Sequence, residues 1–332
     1  MEKIESLAFH TPKSLDEAVS ILSRYEGKAK VMSGGTDLVG ELKEKIIVPP
    51  VEALVSIQAV KGLDYIRKVG GTLRIGTMTP LSRVASDPMI GKEFAALSQA
   101  AIEVGSPQIR NVGTIGGNLC QRPRCWYYRS ESFPCYKKGG NFCFAVTGEN
   151  KYHCITGGEL CYMVHPSDTA VALLALNAEL KIITPKGEKR VKAVNFFTDS
   201  KVDILRENIL KRDEILAEVI VSPLASGMKT VFIKSKIRRV WDFAVGAVAV
   251  SMSCPGGVCE EANVALGAVA PTPIRAPRAE KFLRGKKINP DVAMRAGRQA
   301  LLGPSTRPLG QNGYKVDLIV NLMKEALTRA AA

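Results

Sequence analysis

Six of the chain's eight cysteines, Cys120, Cys125, Cys135, Cys143, Cys154 and Cys161, crowd into one short stretch. Thiolates are the ligands of iron–sulfur clusters and of structural zinc. Disulfides are rare in reducing compartments, so a local crowd of thiols points to metal or redox chemistry. The spacings are long and no C-x-x-C occurs, which argues against a zinc ribbon and a ferredoxin run. Spacing alone leaves two readings open, a cluster held by four thiolates or a set of buried free cysteines. The same stretch carries Arg122, Arg124, Arg129, Lys137, Lys138 and Lys151 against only Glu131, Glu149 and Glu159. Positive surroundings lower a thiol's pKa and help hold a cluster's negative charge. Cys254 and Cys259 flank a turn and carry no expected redox role, and His153 and His165 read as structural.

Two glycine pairs offer a second chemistry. Ser33-Gly34-Gly35-Thr36 follows a short apolar strand, where consecutive glycines let backbone N–H groups approach an anion without Cβ interference. An isolated pair reads first as a tight turn, and neither G-x-G-x-x-G nor a P-loop is present. Thr114-Ile115-Gly116-Gly117-Asn118 repeats the same grammar, and two such loops can clamp the two ends of a long dinucleotide. No Ser-His-Asp set or paired carboxylates suggest themselves.

The elements that must position these groups are mixed. Ser14 reads as an N-cap with Glu17 completing a capping box, and Leu15, Ala18, Val19 and Leu22 keep helical spacing. Strands are expected at Ala29–Met32, Val51–Ile57, Thr72–Gly76, Leu180–Thr184, Thr230–Ile233, Ala244–Met252 and Cys259–Leu266. Helices are expected over Phe94–Val104, over Thr169–Leu176, and from Asp291 onward around a loop at Gly303–Gly313. Without a regular βαβ alternation the fold class is α+β.

The chain has 332 residues, 46% of them apolar, enough for two or three domains with sizeable cores. Its formal charge of +14 would suit nucleic acid, an acidic partner or an anionic ligand. Aromatics make up only 6% and are not interleaved with Lys/Arg runs, so the stacking platforms of a single-strand binder are missing. No apolar stretch suffices to span a bilayer and the N-terminus lacks a signal-peptide core, so a cytoplasmic protein is expected.

The two glycine loops resemble the paired FAD-binding loops of the molybdenum-hydroxylase flavin subunits, among them the FAD domains of xanthine dehydrogenase and the medium subunits of carbon monoxide dehydrogenase. The resemblance runs end to end. His165-Pro166-Ser167-Asp168 is similar to the family's Pro-Ser-Asp segment. Ala265-Leu266-Gly267-Ala268-Val269-Ala270-Pro271-Thr272-Pro273-Ile274-Arg275 is similar to its C-terminal signature, the most specific match. It implies a two-part FAD-binding domain of the vanillyl-alcohol-oxidase (PCMH) type followed by a smaller α+β domain. The parts are 1–57, 58–222 with a cysteine-rich insertion at 120–161, and 223–332. It also implies that Val31, Met32, Ser33, Gly34, Gly35, Thr36, Asp37 and Leu38 contact the FAD pyrophosphate and ribityl chain. Thr114, Gly117 and Asn118 line the other side, Asp168 accepts from the sugar-like chain, and Lys234 lies near the isoalloxazine.

Relatives such as 4-hydroxybenzoyl-CoA reductase and bacterial aldehyde oxidases carry a 4Fe–4S cluster in an insertion at this point, and Arg124-Cys125-Trp126-Tyr127-Tyr128 resembles theirs. The resemblance gives Cys125, Cys135 and Cys143 as ligands; Cys154 is the fourth by spacing, with Cys161 its rival and Cys120 placed by the flavin. The function implied is an electron relay between a small 2Fe–2S subunit, a large molybdopterin-containing subunit and an external acceptor or donor. A ferredoxin would suit the basic insertion, and a dimer of heterotrimers is the implied assembly. The rival is a self-sufficient FAD-dependent oxidoreductase, for which no catalytic acid or base stands out.

Overall fold

Ser14 has extended backbone angles and its Oγ accepts from Glu17 N, so it caps α1 (Leu15–Arg24) as its sequence requires. The reciprocal half of the box is displaced by one residue, because the Glu17 carboxylate accepts from Lys13 N at 2.7 Å instead of from Ser14. The computed structural model describes residues 6–302 and 306–332; Gly303, expected to open the last loop, lies outside them. β1 (Ala8–His10) precedes α1, and β2 (Ala29–Met32), α2 (Leu38–Lys43) and β3 (Ala53–Ser56) follow it. The three strands form a parallel sheet in the order β1-β3-β2, which leaves β2 at the edge. Ala18, Val19, Ile21 and Leu22 of α1 are buried in a core that also takes Ala53, Val55 and Ile57.

The second sheet begins with β4 (Ile66–Val69) and β5 (Thr72–Gly76). Gly70 and Gly71 both have positive φ in the two-residue turn between them, the geometry that favours glycine in a hairpin. Short helices follow: α3 (Leu81–Ser86), α4 (Pro88–Glu93), α5 (Ala95–Ile102), α6 (Pro107–Val112) and α7 (Ile115–Leu119). The cysteine stretch comes next and is almost free of regular structure. After it, α8 (Asp168–Ala175) leads into β6 (Glu179–Thr184), β7 (Gly187–Lys192) and β8 (Ile215–Val221). The sheet order is β4-β5-β8-β6-β7, all antiparallel. Every residue of β8 is buried, as befits the central strand. Its one charge, Glu218, is met by Arg74 Nε at 2.8 Å and Nη2 at 2.6 Å from the neighbouring strand.

The third sheet is antiparallel, ordered β12-β11-β10-β9, from β9 (Met228–Ser235), β10 (Gly246–Ser253), β11 (Glu261–Gly267) and β12 (Ile274–Arg275). α11 (Lys315–Ala331) packs on β9 and β10 and buries Ile319, Met323, Ala326 and Leu327, α9 (Pro277–Leu283) packs on β11, and α10 (Pro290–Leu301) lies against both helices. All eight residues of α8 are buried, and the helix packs on α5, β10 and β11. Phe232, Ala247, Ala249 and Ala265 of the third sheet join the core of the second. The helix and strand content is the expected α+β mixture.

Candidate functional site: a cleft between two glycine loops

β2 runs out at Met32 and the chain turns through Ser33 to Asp37 before α2. A cleft of about 1000 Å³ opens there. A Cβ on Gly34 would sit 2.1 Å from Val112 O, and one on Gly117 would sit 2.8 Å from Ser33 Oγ, so the loops approach too closely for any other residue. Gly35 has φ +72°. Thr114 Oγ1 donates to Ser33 Oγ at 3.2 Å, tying one loop to the other, and Gln58 Nε2 holds Ser33 O at 2.9 Å. The second pair is not a loop: Thr114 caps α7 by accepting from Gly117 N at 3.1 Å. Among the described residues, the N–H groups of Gly34, Gly35 and Thr36 donate to no protein acceptor. Directed into a cleft, such donors form a cradle for an anion.

Every residue of the expected FAD set lines this one cleft, from Val31, Met32 and Leu38 to Thr114, Asn118, Asp168 and Lys234. Asn118 Oδ1 accepts from Ser167 Oγ and Thr169 Oγ1, both at 2.6 Å, which fixes its amide. Lys234 Nζ donates to Asp168 Oδ2 at 2.7 Å, Glu103 O at 3.0 Å and Asp242 O at 2.9 Å. Both side chains of the pair are almost wholly buried. Burial pushes the Asp168 carboxyl up, and the Lys234 ammonium opposes that shift. Lys234 is therefore a matched charge, not a free cation.

Asp37 also borders the cleft, but its oxygens are engaged elsewhere. Oδ2 accepts from Arg122 N at 2.6 Å, while Oδ1 meets Arg129 Nη2 and Arg124 Nη1, each at 2.7 Å. Other lining residues were missed. Lys30 shares a face of β2 with Met32; burial, then Arg122, lowers its ammonium's pKa. Trp241 and Phe243 come from the β9–β10 connection, where Trp241 has φ +53° and is 64% exposed. Alternation along β2 could have flagged Lys30, whereas no local signal marks Trp241.

The cysteine stretch differs from its expectation in three ways. Cys125, Cys135, Cys143 and Cys161 line a cavity of about 20 Å³ with His153 and Lys137, whereas Cys154 does not. Cys154 Sγ instead lies under Gly158, where a Cβ would be 2.5 Å from it. Burial pushes the thiols of Cys125 and Cys161 up to about 12 and those of Cys143 and Cys154 upward too, the opposite of the lowering expected from basic surroundings. Among the described residues, no three His, Cys, Asp or Glu side chains stand at ion-binding geometry. Third, the basic residues mostly turn inward. Arg122 meets Glu207 at 2.7 Å, Lys137 meets Glu207 at 2.5 Å, and Arg129 and Arg124 meet Asp37. They do not present the cationic face expected to attract a ferredoxin. Cys120, expected either to pack or to lie beside the flavin, borders the cleft and also packs against the core, and burial pushes it up to about 12.

A loop of unpaired backbone donors beside a helix start and a buried ion pair makes a cleft suited to a long anionic ligand. Residues 3–224 match the FAD binding domain in molybdopterin dehydrogenase, and residues 231–330 match the CO dehydrogenase flavoprotein C-terminal domain. The chain belongs to this family of FAD-binding subunits of molybdenum-hydroxylase-type oxidoreductases. It is 32% identical over 324 residues to the aldehyde oxidoreductase FAD-binding subunit PaoB of Escherichia coli (strain K12), covering 95% of each chain. It is 28% identical to the carbon monoxide dehydrogenase medium chain of Hydrogenophaga pseudoflava, over 98% of this chain and 96% of that one. A solved carbon monoxide dehydrogenase from Hydrogenophaga pseudoflava superposes with a TM-score of 0.78 at 26% identity, covering 99% and 98% of the two chains. No helix among the described residues is long and apolar enough to cross a membrane.

Proposed function

We propose that this chain is the electron-relay subunit of a molybdenum-containing dehydrogenase, with FAD in the cleft between the glycine loops. The observation that carries the reading is the first glycine loop, tied through Ser33 to Thr114 at the start of α7, with three backbone donors that have no protein acceptor among the described residues. The cleft fits the group: the donors suit a pyrophosphate, and the buried Asp168–Lys234 pair, with charges matched, and Asn118 line it as polar groups. Bound FAD supplies the conversion between one- and two-electron steps. The protein's own residues hold the loops apart at a fixed width and clamp Lys234 between a carboxylate and two carbonyls. The partners proposed are a large molybdopterin-containing subunit and a small 2Fe–2S subunit, in a dimer of heterotrimers. The proposed division is 1–57, 58–222 and 223–332. It is supported by one sheet falling in each part.

The proposal extends to a 4Fe–4S cluster held by Cys125, Cys135, Cys143 and Cys161, with Cys161 in place of Cys154. The donor set has the right chemistry, four thiols facing one cavity. At about 20 Å³ that cavity takes a cluster only if the side chains turn outward. Iron and acid-labile sulfide per flavin, on anaerobically purified chain, test both parts. About four irons per FAD is the expected result. FAD without iron would remove the cluster and leave the flavin reading, and a flavin-free chain would sink both. Cys161→Ser should lose iron and Cys154→Ser should keep it; the reverse would restore Cys154. Turnover of an aldehyde by the isolated chain would favour the self-sufficient rival.

A further inference from the structure

α2 starts directly after the first glycine loop, and Asp37 is its N-cap. An N-cap aspartate ordinarily accepts from the first backbone N–H groups of its own helix, but Asp37 makes no such bond. Its carboxylate faces the cysteine stretch, where one residue's N–H and two guanidinium groups converge on it, at 2.6 to 2.7 Å. Arg129 is fixed further by Pro123 O at 2.7 Å and Glu44 Oε2 at 3.4 Å. Its side chain is 12% exposed and does not line the cleft. Glu41, one turn on, accepts from Tyr128 of the same stretch at 2.6 Å.

We infer that Asp37 is a positioning residue that couples FAD binding to the ordering of the cysteine stretch. Gly34, Gly35 and Thr36 offer their N–H groups only in one loop geometry, and the next carboxylate along the chain is held by Arg122, Arg124 and Arg129. A ligand that fixes the loop fixes Asp37, and Asp37 fixes the base of the stretch. Linkage makes the effect reciprocal, so an ordered stretch must tighten FAD binding by the same factor. The inference rests on the reading of the cleft as the FAD site and does not require the cluster.

The test is a double-mutant cycle on the FAD dissociation constant of the full-length chain, read by flavin fluorescence for Asp37→Asn, Arg129→Ala and both together. Arg129→Ala should weaken FAD binding by about 5- to 150-fold although it lies outside the cleft. The double variant should bind no more weakly than Asp37→Asn alone, because both remove one link. Arg129→Lys, which keeps the charge but not the fork, should recover part of the loss and guards against a folding defect. Unchanged FAD affinity in Arg129→Ala, or losses that multiply in the double variant, would overturn the coupling. A wild-type chain that binds no FAD would instead overturn the cleft reading beneath it.

Discussion

The cleft and the cysteine pocket lie side by side and are built on opposite principles. The cleft is open, about 1000 Å³ against about 20 Å³, and its donors are backbone groups held in place by hydroxyls and by glycine. The pocket is small, and burial pushes the thiols of Cys125, Cys143 and Cys161 upward. On the proposed reading, a pyrophosphate would meet a cradle that exists before it arrives. The proposed metal centre would have to displace protons and open its own space, so there the ligand would complete the geometry. The lesson is that a backbone site can be formed by the fold alone, whereas a thiol site is finished by its occupant.

The largest effect should come from the cleft's buried ion pair. Lys234→Met leaves Asp168 buried without its partner and should cost about 3–5 kcal/mol in denaturant unfolding. Adding Asp168→Asn should recover part of that, and a cost near zero would mean that the cleft is not braced there. Next come paired glycine substitutions. Gly34→Ala places a methyl 2.1 Å from Val112 O, while Gly140→Ala places one 1.7 Å from Pro134 O in the cysteine stretch. Each overpacks a fixed backbone, at about 1–3 kcal/mol. Flavin should fall more in the first and iron more in the second; equal losses of both would erase the distinction between the sites.

The smallest effect concerns His165, which lies between the two regions beside Lys137. Burial, with Lys137 adding to it, lowers this imidazole from 6.5 to about 3. Its Nδ1 accepts from Ser167 N, while Nε2 is buried with no partner among the described residues. A depressed histidine adds stability that is complete above the unfolded value of 6.5 and lost as pH falls toward about 3. Urea midpoints should therefore drop from pH 7 to pH 4.5, and less steeply in His165→Asn. Identical slopes would assign the acid sensitivity to other groups.

Much of the cleft was legible because its signals are local. The Ser14 cap, the strand into Ser33 and the two glycine pairs act within a few residues of themselves. β4, β7 and β8 were not foreseen. β8 is a buried central strand whose apolar run is broken by Glu218, and Arg74, Tyr65 and Lys181 from distant segments make that charge tolerable. The choice between Cys154 and Cys161 escaped spacing because the chain folds back there. Cys154 N donates to Tyr162 O at 2.8 Å, bringing both cysteines together while only Cys161 faces the cavity. Charge composition likewise gave the number of cations in the stretch but not their direction.

The cysteine stretch is fastened at both ends to different parts of the molecule. Near its start it holds Asp37, Glu41 and Glu44; near its end, Lys315 Nζ bonds Tyr152 O, His153 O and Ala268 O, while Asn312 bonds His153 O and Cys154 O. Ile155 N and Thr156 N add bonds to Val269 O, within the C-terminal signature. A segment with almost no helix or strand of its own thus behaves as a strap across the sheets. Such a strap removes the option of melting piece by piece. Amide protons at the base of α2 and at the start of α11 should therefore exchange through one shared opening event, far apart in the chain yet released together.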